Sequence, residues 1–238
     1  MTGTHPIRDR GRSRFLAALL ALLFALALTT VGAGTAAAQP DIGSGSAALG
    51  LHGCSAEFED GDRRLGPETL SNTFPVGPQL VGYDRTGGLS TEEFLDRYWD
   101  PAAGPSGSWI YPPADGYVTD GAGEPIREVI TVSAGATLDR YGSEFGTFLA
   151  PSGAGYAERS IPPSNLVGTP PEPCNYHAYL VVRPFDLYAG TIAPWFGQPG
   201  GGTQYQLDPA LVPGVTGTLN VQWLLTAGYL VRVYPDVG

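Results

Sequence analysis

The sequence predicts an α+β domain whose core is a bent, strongly twisted β-sheet with few short helices. Three observations lead there. Arg127 to Val132 reads as a strand that runs into a turn signal at Ala134-Gly135. Tyr176 to Arg183 alternates so that Tyr176, Ala178, Leu180 and Val182 fall on one face. Both segments are expected to be central strands. The 238 residues include 34 glycines and 22 prolines, yet aromatic residues still make up 11%. That composition signals many turns between short elements and not disorder.

The elements follow in order. Residues 1–38 read as a secretory signal peptide. Arg8, Arg10, Arg12 and Arg14 precede an apolar run from Phe15 to about Leu28, and Ala36-Ala37-Ala38 fits the small-x-small cleavage rule. The run is too short for a stable membrane anchor and no second one follows, so the mature chain is expected to be secreted and to begin near Gln39. Residues 39–110 form an N-terminal extension. It starts as a Gly/Ser/Ala-rich arm and becomes ordered once Cys54 ties it down. Within it Ser90 and Glu93 spell a capping box ahead of an apolar stripe of Phe94, Leu95 and Tyr98, which predicts a helix. Residues 111–238 form the main domain. It ends in a short helix from Asn220 to Ala227, stopped by Gly228, and a closing strand from Tyr229 to Tyr234.

The formal charge is -10, from 23 acidic residues against 13 cationic ones, all of them arginine. Removing residues 1–38 takes four of those arginines and one acid, so the mature chain is more acidic still. Such a surface repels nucleic acid and anionic lipid, which excludes both as partners. The two cysteines, Cys54 and Cys174, are exported into conditions where disulfides persist, and one bridge between them is expected. No His/Cys cluster suggests zinc, since His52 and Cys54 lack further partners.

Arg140 and Arg159 flank a glycine-rich turn, and a guanidinium offers a planar, permanently charged fork suited to phosphate. The alternative is that each pairs with an acid, for which Asp139 and Glu158 are the sequence neighbours. Tyr141, Phe145 and Phe148 surround the first arginine, and Trp195 and Phe196 precede a triple glycine; such rings stack flat cations or pack a core, and packing is the reading for Phe145. Gly200-Gly201-Gly202 followed by Thr203 and Gln204 matches neither a Rossmann nor a P-loop cradle. It would let backbone approach a ligand and aim Gln204 inward. Glu144, Glu158 and His177 read as structural.

Three segments, LDRYGSEFGTFLAPSGAGYAERSIPPSNL, NYHAYLVVRPF and GTIAPWFGQPGGGTQYQL, occur in this order between Leu138 and Leu207. Together they resemble the catalytic domain of secreted NAD glycohydrolases, the family of the tuberculosis necrotizing toxin and the fungal surface NADases. The resemblance covers roughly Tyr111 to Tyr234. It implies a compact relative of the ADP-ribosyltransferase fold that splits NAD, and NADP as well, into nicotinamide and ADP-ribose. It also implies that Arg159 and Gln204 are the principal catalytic residues and that Arg140 supports the phosphates. Tyr141 and Phe148 would wall the nicotinamide pocket, with Trp195 and Thr203 as further substrate contacts. No cofactor is required, because NAD is the substrate. Some fungal members bind calcium through acids near the C-terminus, but this tail offers only Asp208 and Asp236. The fungal relatives suggest a homodimer, and an immunity protein is a further conceivable partner. Two rival readings stay open: a transferase or cyclase, which would need an acid in the site, and an inactive extracellular binding module.

Overall fold

Ser90 starts the first helix as a cap should. Its hydroxyl accepts from the Glu93 N–H at 3.3 Å, and the Glu93 carboxylate accepts from the Ser90 N–H at 2.9 Å, so α1 (Thr91–Tyr98) begins with its orphan donors satisfied. The computed structural model describes residues 53–168 and 173–235; the expected signal peptide and the start of the arm lie outside the described residues. After α1 the chain forms a small antiparallel hairpin, β1 (Trp99–Asp100) and β2 (Ser108–Trp109). Phe94 and Tyr98 of α1 pack with Leu65 and with Phe196, which lies a hundred residues downstream, in one buried cluster. Through that cluster the segment before residue 110 shares a core with residues far beyond it.

Seven strands then build the main sheet: β3 (Arg127–Val132), β4 (Thr137–Tyr141), β5 (Phe148–Pro151), β6 (Tyr176–Val181), β7 (Phe185–Thr191), β8 (Thr203–Gln206) and β9 (Leu230–Tyr234). Their order is β3-β7-β8-β5-β4-β6-β9, and all pairings are antiparallel. The second helix, α2 (Val221–Thr226), is capped by the Asn220 side chain, which accepts from the Trp223 N–H at 2.8 Å, and the chain turns at Gly228 with φ +70°. With two short helices on a dominant sheet, the fold is α+β as the sequence predicts.

Two strand expectations need correction. The segment Arg127–Val132 forms an edge strand and not a central one: among the described residues β3 pairs with β7 alone. Its charged and polar residues fit an edge that must discourage further pairing. Tyr176, Ala178, Leu180 and Val182 do not share a buried face either. Tyr176 and Ala178 enter one core cluster while Tyr179 and Val181, on the opposite face, enter the other, so β6 is buried on both sides and Leu180 only half so. The register shift between Ala178 and Tyr179 places its extra residue, Val233, on β9, so the alternation of β6 runs through it unbroken. Val182 lies past the end of β6 and is exposed. The first of these clusters lies around Tyr141, Tyr156 and Tyr176; the second lies beneath α2 and contains Leu138, Leu149, Leu187 and Leu224.

Cys54 and Cys174 form a disulfide, with Cα atoms 4.9 Å apart and a sequence separation of 120. It fastens the N-terminal segment to the entry of β6. Closing so long a loop restricts the unfolded chain, so a Cys54→Ser/Cys174→Ser double variant is expected to lose roughly 4 to 5 kcal/mol of stability. Guanidinium unfolding checks this, and a loss below about 1 kcal/mol would show that the loop is held by packing alone.

Candidate active site

The three neighbouring strands β8, β5 and β4 carry most of the candidate residues. Arg140 and Tyr141 end β4, Phe148 opens β5, Gln204 lies on β8, and Arg159 closes a 3-10 turn from Ala157 to Arg159. All five line one cavity of about 460 Å³. Its other wall is the loop that bears Tyr111, Pro112, Asp115 and Gly116.

Trp195 and Thr203, expected as substrate contacts, do not line this cavity. Successive residues of a strand point to opposite faces, so once Gln204 faces the cavity Thr203 faces away, and it is exposed. Trp195 donates its indole N–H to the Ile110 carbonyl at 2.7 Å and packs edge-on against Tyr98, which places it in the core beneath α1. Phe145 is not a core residue, since 74% of it is exposed.

Arg159 is 6% exposed. Its Nη1 stands 2.7 Å from Oδ1 of Asp139, which is wholly buried. The pairing reading therefore holds for this arginine, with Asp139 as the partner in place of the adjacent Glu158. Nε and Nη2 donate to the Ala154 carbonyl at 3.2 and 2.9 Å, and Nη2 also donates to Gln79 Oε1 at 3.2 Å. Asp139 Oδ2 in turn accepts from the Tyr176 hydroxyl and the Gly153 N–H, both at 2.8 Å. Burial by itself would lower the pKa of Arg159, but the Asp139 charge outweighs it and raises the pKa, so the guanidinium stays charged. The Tyr141 ring lies 5.1 Å beneath it, with its hydroxyl pushed well above the ordinary range by burial.

Arg140 differs in kind. It donates from Nη1 to the Phe148 carbonyl at 2.7 Å and from Nε to the Gly142 carbonyl at 3.2 Å, and among the described residues it forms no ion pair. Burial lowers its pKa. Gly146 makes room for it: a Cβ there would sit 2.3 Å from Nη2. A half-buried cation with only neutral acceptors on the cavity wall is suited to an anionic group.

Gln204 donates its Nε2 to the Asp115 carbonyl at 2.9 Å, which fixes the amide on the cavity wall. Gly202 of the triple glycine also makes a close approach within the protein. The Gly202 N–H donates to the Glu158 carbonyl at 3.1 Å, and a Cβ on Gly202 would lie 2.8 Å from that oxygen. Gly202 thus brings the start of β8 against the turn that carries Arg159. Glu158 accepts from the Gly155 N–H, and Glu144 accepts from Tyr179 and Arg232, both away from the cavity lining. His177 pairs with Arg140 across β4 and β6 and does not line the cavity either.

A family model described as tuberculosis necrotizing toxin matches residues 131–233. The chain is also 48% identical over 174 residues to the conidial surface nicotinamide adenine dinucleotide glycohydrolase of Aspergillus fumigatus, covering 73% of this chain and 70% of the relative. The chain belongs to the tuberculosis necrotizing toxin family. A solved structure of the tuberculosis necrotizing toxin with its immunity factor aligns with 60% of this chain and 71% of that one, at 23% identity and a TM-score of 0.46. In this family member, Tyr111, Pro112, Asp115 and Gly116 of the cavity wall precede the residues that the family model matches. Sequence reasoning missed them, and Ser160 and Asn165 as well. The Asp-Gly pair at 115 is a legible turn signal, but nothing local ties it to Gln204, 89 residues away.

Two variants test the stability of this region. Asp139→Asn leaves the buried Arg159 without a counter-charge and is expected to cost about 3 to 5 kcal/mol in denaturant unfolding. For Glu144, burial pushes the pKa up, yet hydrogen bonds from Arg232 and Tyr179 outweigh it and hold the carboxyl below its ordinary range. A lowered folded-state pKa gives stability that is present above the unfolded pKa and lost as pH falls through the folded one. Glu144→Gln is therefore expected to flatten the loss of stability on acidification below about pH 4.5, followed by thermal unfolding across pH.

Proposed function

We propose that this protein hydrolyses the bond between nicotinamide and ribose in NAD, releasing nicotinamide and ADP-ribose, outside the cell that makes it. Membership of the family and the activity named for the 48% identical Aspergillus relative support this reading. The single structural observation behind it is a 460 Å³ cavity whose wall carries a fixed glutamine, an internally neutralised arginine and an arginine with no ion pair among the described residues. NADP belongs to the same proposal, because it carries the same nicotinamide-ribose bond.

The chemistry needs little proton transfer. The nicotinamide leaves as a neutral molecule from a cationic pyridinium, so catalysis consists of holding the substrate and stabilising a ribosyl cation. Arg140, free of carboxylate partners among the described residues, takes a phosphate oxygen. Gln204, anchored through one N–H, holds a ribose hydroxyl with what remains of its amide. Arg159 would oppose a developing cation if it carried a bare charge. Its pairing with Asp139 leaves it a rigid donor with little net field. Phe148, on the cavity wall and partly exposed, gives the leaving ring a flat face.

Nicotinamide release from NAD by the secreted chain tests this directly. Gln204→Ala is expected to lower kcat about a hundredfold with unfolding unchanged, as for the loss of one transition-state donor. Arg140→Ala is expected to act mainly on KM. Arg159→Lys is more informative than Arg159→Ala, which would strand Asp139 in the core. A folded wild-type chain that releases no nicotinamide would overturn the hydrolase reading.

A further inference from the structure

We propose that Asp115 is an additional catalytic residue, one that accepts the proton of the attacking water and stabilises the ribosyl cation; this rests on the hydrolase reading. Asp115 is among the residues that line the same cavity as Arg140, Arg159 and Gln204. Three features single it out. First, Gln204 donates to the Asp115 main-chain carbonyl at 2.9 Å, so the carboxylate-bearing residue and the amide form one unit. Second, the carboxylate is steered from one side only. Gln206 Nε2 donates to Oδ2 at 3.0 Å and Arg127 Nη1 stands 3.8 Å from that same oxygen, while Oδ1 accepts no hydrogen bond from the described residues. Third, Ala114, Asp115 and Gly116 are all left-handed, with φ of +52°, +55° and +84°. Two of these are non-glycine residues held in a conformation that disfavours L side chains, and such strain persists where surrounding contacts enforce a particular side-chain placement.

The exposure fits the task. The residue lines the cavity and its side chain is 53% exposed, so a proton accepted there can pass to bulk water. In the reaction the C1'–N bond breaks with its electron pair going to the nicotinamide nitrogen. The water oxygen bonds C1' and gives one proton to the Asp115 carboxylate, which returns it to solvent. The sum is NAD and water to nicotinamide, ADP-ribose and one proton.

The test compares wild type with Asp115→Asn and Asp115→Gly in nicotinamide release from NAD, with unfolding measured alongside. Asparagine and glycine both tolerate the left-handed backbone, and either keeps the main-chain carbonyl that holds Gln204. Asp115→Asn is expected to lower kcat on the order of a hundredfold with KM little changed. Asp115→Gly is expected to fall likewise and to regain part of its rate with added formate, a small carboxylate able to occupy the vacated space. Full activity in Asp115→Asn, a loss confined to KM, or no recovery with formate each overturns the assignment. An inert wild type overturns the hydrolase reading first, and this one with it.

Discussion

The buried pair of Arg159 and Asp139 is the constraint around which the rest of the structure is arranged. Two charges out of water are tolerated only when nearly every polar atom around them has a partner. Here those partners come from separate parts of the chain: Gln79 from the N-terminal segment, Gly153 and Ala154 from the loop after β5, and Tyr176 from β6. The pair therefore cross-links elements that have no covalent reason to meet. The Tyr156 N–H, which donates to the Gln79 carbonyl at 2.7 Å, tightens the same joint.

Aromatic rings enclose that joint. Tyr156 stands edge-on to both Tyr83 and Tyr141, with centroids 4.7 and 4.9 Å apart, and Tyr176 bridges Tyr141 to Tyr234. Burial first, and then the Asp139 charge, push the Tyr176 hydroxyl up to about 12, so it serves Asp139 as a neutral donor. The low polarity of this shell strengthens the ion pair and keeps it rigid. Rigidity is useful at a site whose task is to hold a substrate in place, because a group fixed before the reaction needs no reorganisation during it.

The two arginines of the cavity thus divide the labour by environment. Arg159 has its charge answered by a carboxylate in contact, whereas Arg140 hydrogen-bonds to carbonyls and forms no ion pair among the described residues. In a chain of formal charge -10, that local positive focus is what an anionic dinucleotide would meet after approaching a repelling surface. Asp115 brings a carboxylate-bearing residue to the same cavity lining.

The sequence alone determined whatever acts over a few residues. Ser90 with Glu93 and Asn220 ahead of Trp223 specify where the helices begin, and the β-branched run at Arg127 to Val132 specifies a strand. Two cysteines allowed a single intramolecular bridge, and the order of the three motifs identified the family before any contact was known. Only the tertiary structure decided that Arg127 to Val132 lies at an edge, that β6 is buried on both faces, and that Arg159 pairs with Asp139 instead of Glu158. It also decided that Trp195 and Thr203 turn away from the cavity while Asp115 joins Gln204 across it. Caps and periodicities are local energies written into adjacent residues. Sheet order, bulges and buried ion pairs are settled by packing and desolvation among distant ones.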